Sequence, residues 1–497
     1  MKNVTINKIN ETYIHVEADS DTYKEMADYF SFYVKGYRFH PKVKAGFWDG
    51  KIKLLKNGYI YIGLLLDIIK FCQGREIDVD IQYDINEDIN FTTDDTLNQF
   101  IDTLNLPKEI EGNTFEVRDY QFKYFKKAIQ TGRALLLAPT GSGKSLIIYL
   151  IARYYNVKTL ILVPTKNLVM QMPSDFKEYN YEQDCYKIME GASTEDIQEQ
   201  ITVATFKGVY EQPEEWFDQF DLIIGDEAHL ATADTVKGMM EKACNTKYKI
   251  GTTGTLDGSK TNEMVLRGLF GKIVKETTTS ELIEQGYLAD LRIKCVLLKH
   301  PDHIRKLFHN QKDSNKKTLK IKYEDELPYI IGNEERNEYI KNLALALKGV
   351  TLILFEKIED HGHVLRDILT EQDKVVYYID GKVSGIDREE IRRLIKTSED
   401  VILLASYGSY STGANLPNIR NIIFSSPSKS RIRVIQSIGR GLRKTIKKTR
   451  CDLYDIADDL SWKSKKNHTL KHLEERIKYY IEDGFNYKTI KVDLNGS

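Results

Sequence analysis

At 497 residues the chain exceeds what one hydrophobic core organises, and the usual domain size divides it into roughly three or four units. Its 72 Lys and Arg against 73 Asp and Glu leave a formal charge of −1, which excludes a uniformly basic, histone-like binder and confines any nucleic-acid surface to a local patch. Five scattered cysteines (Cys72, Cys185, Cys244, Cys295, Cys451) without a C-x-x-C pair exclude a disulfide framework and a zinc ribbon, and fit a reducing cytoplasm. The start, MKNVTINKINETYIHVE, has no apolar signal core, and no apolar run approaches the ~18 residues of a membrane span. The expectation is a soluble, cytoplasmic protein without a membrane partner.

In chain order, residues 1–112 carry alternating segments (ETYIHVEADS, KIKLLKNGYIYIG, EIDVDIQYDI) that read as half-exposed strands of a small α/β domain. Within it, YVKGYRFHPKVKAGFWDGKIKLLK (33–56) sets seven Lys or Arg against one acid, interleaved with Tyr33, Tyr37, Phe39, Phe47 and Trp48. Cations neutralise phosphates while rings stack on bases or wedge at a junction, so Lys35, Arg38, Lys42, Lys44 and Trp48 are candidate nucleic-acid contacts. The competing reading is an aromatic core beneath solvated lysines.

From residue 134, ALLLA, TLILV, ITVAT, DLIIGDE and KIGTTGT recur between helical patterns; from 350, TLILF, VVYYID, VILLAS, NIIFSS and CDLYDIAD repeat the rhythm. Continuous apolar runs are strands of parallel sheets covered on both faces. The fold class is therefore α/β: two tandem doubly wound domains at 113–290 and 346–460, a linker or helical insertion at 291–345, and a C-terminal helical element at 461–497.

Three stretches carry chemistry. In LLLAPTGSGKSLIIYL, a strand, a glycine turn and a helix start follow one another, so Gly141, Ser142 and Gly143 can turn backbone N–H groups onto phosphate oxygens. Lys144 then reaches the β and γ phosphates and Ser145 offers a hydroxyl to Mg²⁺; Ala138 replaces the usual first glycine. In DLIIGDEAHL, Asp226 and Glu227 end a strand expected beside that loop, Asp226 to hold Mg²⁺ and Glu227 to deprotonate the attacking water. His229 is either a surface histidine or a coupling residue. In QSIGRGLRK, helical spacing would put Gln436, Arg440 and Arg443 on one face that wants an anion.

APTGSGKS and DEAH, with VPTKNLVMQ (163–171), VATFKGV (203–209), TTGT (252–255), STGANLP (411–417) and QSIGRGLR (436–443), resemble the ordered motif series of superfamily 2 helicases over about residues 115–460. Within it, the whole chain resembles the UvsW-type helicases of T-even bacteriophages and, more distantly, the RecG and XPB branches. Leu256 departs from a common proline, and DEAH alone does not imply an RNA helicase.

The resemblance implies two RecA-like domains that share one ATP. Arg440 and Arg443 would be arginine fingers, with Gln436 at the γ-phosphate or its water. Gln121 in EVRDYQFKYFKKAI would read adenine, supported by Arg118 or Tyr120. Pro164, Thr165 and Thr205, then Thr412 and Gly413, would grip the nucleic-acid backbone, and Thr253 and Thr255 would couple the two sites. Expected with it are ATP and Mg²⁺, 3′ to 5′ movement on single-stranded, duplex and branched DNA and on RNA–DNA hybrid, and roles in recombination, repair and replication. Host cytoplasm is implied if the gene is a phage's, and a monomer is the default state. The alternative is a nucleotide-gated clamp or annealing protein that separates no strands.

Overall fold

The structure is a computed structural model that describes residues 3–34, 36–85, 90–110, 112–232, 234–310, 322–411, 416, 418–426, 428–444 and 448–494. It divides into two compact units: Met1–Ala138 with Ser142–Glu276, and Thr277–Ser497 with Pro139–Gly141. No helix among the described residues is long and apolar enough to cross a membrane.

The first unit opens with a four-stranded sheet in the order Tyr59–Tyr61, Tyr13–Ala18, Asn3–Lys8, Asp78–Ile81. Alternation drives it: Val4, Ile6, Ile14 and Val16 point inward and are at most 2% exposed, while their neighbours face outward. This small domain shares one apolar cluster with the sheet domain that follows, running from Val4 to Phe270. Polar links close the seam. Arg267 donates to both carboxylate oxygens of Asp67 (2.6 and 2.7 Å), Arg133 to the carbonyl of Glu11 (2.7 Å), and the Tyr13 and Tyr61 hydroxyls to Glu241. Lys249, buried, donates to Thr12 Oγ1 at 2.7 Å; burial, aided by Arg133, holds its ammonium well below the ordinary lysine range. Two glycines let the backbones meet, since a Cβ on Gly63 would lie 2.2 Å from the Arg267 carbonyl and one on Gly268 2.5 Å from the Tyr61 ring.

The larger sheet of the first unit has seven parallel strands in the order Cys185–Ile188, Ile201–Thr205, Thr159–Val163, Leu222–Asp226, Tyr248–Thr253, Arg133–Leu137, Lys272–Val274. The sheet of the second unit runs Val376–Ile379, Ile402–Ser406, Thr351–Phe355, Asn421–Phe424, Arg450–Asp459, Asp290–Lys299, Tyr487–Asp493, also parallel. Numbered in chain order within each sheet, both read 3-4-2-5-6-1-7. These are tandem RecA-like domains.

Two sequence assignments change. The segment from 291, read as linker and insertion, begins with the strand Asp290–Lys299, which lies between two partners and forms the first strand of the second sheet. Its charges (Arg292, Lys294) interrupt an otherwise apolar run, and this masked the strand. Past 461, the helix His468–Glu482 is followed by the strand Tyr487–Asp493, which pairs with Asp290–Lys299 at the sheet edge, so the C-terminal element is not purely helical. YKTIKVD alternates as an edge strand should.

Inside the second unit, Arg336 and Arg476 are almost fully buried, against Asp458 and Asp455 respectively. Arg336 also donates to the Ser425 carbonyl (2.7 Å) and Arg476 to that of Ser428 (2.9 Å), so these buried cations are met by both carboxylate and backbone.

Candidate nucleotide site and nucleic-acid surface

At the C-terminal end of Arg133–Leu137 the chain turns through Gly141 (φ 87°) and Gly143 (φ 79°), and Gly143 caps the helix Lys144–Tyr155. Positive φ at both positions is what glycine supplies, and the helix start sets the positive end of the helix dipole at the loop. A side chain at Gly143 would put its Cβ 2.4 Å from Gln121 Nε2.

The loop is held from behind. Gln121 Nε2 donates to the Ser142 carbonyl (2.8 Å), the Tyr120 hydroxyl donates to the same oxygen (3.0 Å), and Arg118 donates to the Tyr120 hydroxyl (2.9 Å). Gln121 Oε1 accepts the Arg118 backbone N–H (3.0 Å) at the start of the helix Asp119–Thr131. Gln121, Tyr120 and Arg118 thus brace the phosphate loop, with Gln121 itself buried at 4% exposure.

Asp226 ends its strand with Oδ1 accepting the Thr252 hydroxyl (2.7 Å) and the Glu227 N–H (2.9 Å). Burial pushes its carboxyl above the usual range and the Glu227 charge adds to this, while Lys144 acts the opposite way. Such a group gains from a cation. Glu227 adopts φ 50°, a left-handed backbone that a non-glycine residue takes at a cost and that concentrates at functional turns. The expected adjacency of Asp226 to the phosphate loop needs correction: Tyr248–Thr253 lies between their strands, pairing with both. That intervening strand ends in the TTGT motif. Thr253 Oγ1 lies 3.0 Å from His229 Nδ1, which is 3.4 Å from Glu227 Oε2, and Thr253 also donates to the Thr255 carbonyl (3.2 Å). His229, Thr253 and Thr255 therefore form one connected group beside Glu227.

On the neighbouring strands, Val163 and Thr205 are register partners, which brings Pro164, Thr165 and Thr205 to one stretch of the C-terminal sheet edge. Thr165 caps the helix Lys166–Glu178; Thr205 Oγ1 accepts the Gly208 N–H (3.0 Å), and at 3% exposure its hydroxyl serves this turn.

In the second unit Gln436 (8% exposed) and Arg440 lie on the helix Arg431–Gly441, and Arg440 donates to the Tyr410 carbonyl at 2.7 Å with its guanidinium 5.8 Å from the Tyr410 ring centre. Arg443 departs from the helical expectation. The helix ends at Gly441 with Leu442 as its cap, because two glycines weaken its last turn and the backbone of Arg443 forms a bridge with Leu288. Thr412 and Gly413 lie outside the described residues.

A groove of about 510 Å³ opens at the ends of the second, third and fourth strands of this sheet, lined by Glu356, Arg388, Ser406, Ser409 and Arg433 among others. It occupies the same topological place as Pro164, Thr165 and Thr205 in the first sheet. Arg388 Nε is buried there without a partner. The sequence reading passed over Arg388, since GIDREEIRR looks like a solvated helix face.

Known families match three stretches of the chain. Residues 4–84 match "DNA helicase UvsW, N-terminal", 114–258 "Type III restriction enzyme, res subunit", and 335–445 "Helicase conserved C-terminal domain". Over 97% of its length the chain is 34% identical to the ATP-dependent DNA helicase uvsW of Enterobacteria phage T4, covering 98% of that protein. The chain belongs to the UvsW family of superfamily 2 helicases. It is an ATP-dependent DNA helicase. The crystal structure of T4 UvsW superposes with a TM-score of 0.52 at 31% identity, covering 99% of this chain and 100% of that one. The DNA 3'-5' translocase XPB2 of Sulfurisphaera tokodaii is 25% identical across 68% of this chain and 81% of its own.

The UvsW-type N-terminal domain carries the basic aromatic segment between the strands Ser31–Tyr33 and Lys51–Lys53. Neither sequence alternative describes it fully. Trp48 is half-buried, with Nε1 donating to the Lys51 carbonyl (3.0 Å) and its ring 5.2 Å from His40, so it is a structural member of the loop. Phe39 and Phe47 are 78% and 86% exposed. Arg38 donates to the Tyr37 hydroxyl (3.2 Å), Lys42 and Lys44 are exposed on the short helix Pro41–Lys44, and Lys35 lies outside the described residues.

Proposed function

We propose that this helicase separates strands at branched DNA (forks, four-way junctions) and in RNA–DNA hybrids, moving 3′ to 5′, in recombination, repair and replication control. The observation that carries the reading is full-length likeness to a UvsW helicase, N-terminal domain included. The two exposed phenylalanines among cations support it, because a ring held at a duplex edge can stack on a base that has lost its partner.

In this reading the backbone N–H groups of the loop and Lys144 hold the triphosphate, and Glu227 takes the proton of the attacking water. His229 and Thr253 keep Glu227 in place. Arg440 and Arg443 supply positive charge to the γ-phosphate oxygens as charge develops there, Arg440 exchanging the Tyr410 carbonyl for phosphate. The donor set also fits Mg²⁺: Asp226 is a buried carboxylate without a bonded cation, Ser145 stands at the helix start, and the Ser142 hydroxyl is buried without an acceptor or donor. Bound there through Ser145 and Asp226, Mg²⁺ would neutralise β and γ oxygens. Thr165 and the Arg388 groove grip the backbone of the track without reading bases.

Unwinding of forked, four-way and hybrid substrates, measured beside ATP turnover at stated salt, tests the proposal. Strand separation that depends on ATP supports it; ATP-dependent binding with no separation on any substrate replaces it with a clamp.

A further inference from the structure

Tyr179 belongs to none of the helicase motifs, yet it joins three parts of the first unit. Its hydroxyl lies 3.0 Å from Ser145 Oγ, and its ring stacks on Phe115 with centres 5.5 Å apart and planes 21° from parallel. Phe115 stands six residues before Gln121, in the segment that braces the phosphate loop. Tyr179 is 8% exposed, burial raises its phenol above the usual range, and its carbonyl accepts the Tyr149 hydroxyl (3.4 Å). It is also the C-terminal cap of Lys166–Glu178, whose N-terminal cap is Thr165. Thirteen helical residues span about 20 Å, so one rod has a track residue at one end and a contact to the nucleotide site at the other.

A phenylalanine would supply the same stack on Phe115 and the same backbone cap. What the tyrosine adds is the bond to Ser145. A serine hydroxyl rotates among staggered positions, and a bond in which it donates to the phenol oxygen leaves its lone pairs for another partner. We propose that Tyr179 is a positioning residue that holds the Ser145 hydroxyl as a donor, so that its lone pairs face the metal of a bound nucleotide, and that the Lys166–Glu178 helix relays occupation of Thr165 by a nucleic-acid backbone to this contact. This rests on the nucleotide and track assignments given above.

The test uses Tyr179→Phe in the full chain, with thermal unfolding to confirm a folded protein, and measures binding of a fluorescent ADP with Mg²⁺ and with EDTA. The expected result is affinity about fivefold weaker with Mg²⁺ and unchanged in EDTA, with no further loss when Tyr179→Phe is added to Ser145→Ala. Equal weakening in both media, or no change in either, overturns the positioning role. A single-stranded oligonucleotide should shift the Mg²⁺–ADP affinity of the parent chain, and the shift should shrink to within about twofold in Tyr179→Phe. No shift in the parent, or a full shift in the variant, overturns the relay. Lys144→Ala run in parallel separates the two levels: unaltered nucleotide binding in that variant removes the underlying site, whereas lost binding there with an inert Tyr179→Phe removes this inference alone.

Discussion

The two sheets have one strand order and opposite chemistry at the end of their first strand. After Arg133–Leu137 the first sheet opens into a glycine turn and a helix start; after Asp290–Lys299 the second meets His300, 3.0 Å from Asp458, which Arg336 also holds. The buried aspartates at the other strand ends diverge in parallel. Burial and Glu227 push the Asp226 carboxyl up. Burial also pushes on Asp458, but Arg336 and His300 outweigh it and hold that carboxyl below the usual range. One sheet leaves its carboxylate in want of a cation and the other has built the cation in. Topology fixes where ligands can sit; the side chains at two strand ends decide which sheet uses the place.

The comparison can be broken most sharply at Lys144. Lys144→Ala should lower ATP turnover by about 10³-fold or more while the unfolding midpoint stays within a degree or two of the parent. Arg440→Ala should bind a fluorescent nucleotide normally and hydrolyse ATP about 10³-fold slower; undiminished turnover removes its assigned role. In the second sheet the effect should fall on stability: Arg336→Ala leaves Asp458 buried with His300 but without its guanidinium, costing about 3–5 kcal/mol in urea unfolding. Asp226→Asn should go the other way, abolishing turnover while raising stability by about 1 kcal/mol at neutral pH.

A smaller effect concerns pH. Burial, with Arg336 nearby, lowers the His361 imidazole from 6.5 to about 3. The unfolded chain therefore binds the extra proton between those values, so the stability of the second unit should fall as pH drops from about 6.5 towards 3. Replacing His361 with Leu should flatten that slope, read by urea titration across the window.

Much of this was legible in the sequence because its signals are local. Gly141, Gly143 and Lys144 follow an apolar run and precede a helix within a dozen residues, and Asp226 and Glu227 end another run. Where the reading changed, the cause lay far along the chain. Asp290–Lys299 became a sheet strand because Arg450–Asp459 and Tyr487–Asp493 flank it, and Arg443 left its helix because Leu288 pairs with its backbone. Gln121 was assigned to a base, and only the fold shows it bracing Ser142. Arg388 and Tyr179 gave no signal, since a charged helix face and a helix-end tyrosine are ordinary until their surroundings are known.

The seam at Gly63 and Gly268 bears on how such a motor could change its preferences. Because the small domain completes the apolar interior around Met264, Leu269 and Phe270, a chain cut at residue 113 would bare that surface and clump. The adaptor cannot be traded like a tethered module. Room for change lies instead at the tip that bears Phe39 and Phe47, whose rings are exposed and stand outside that interior.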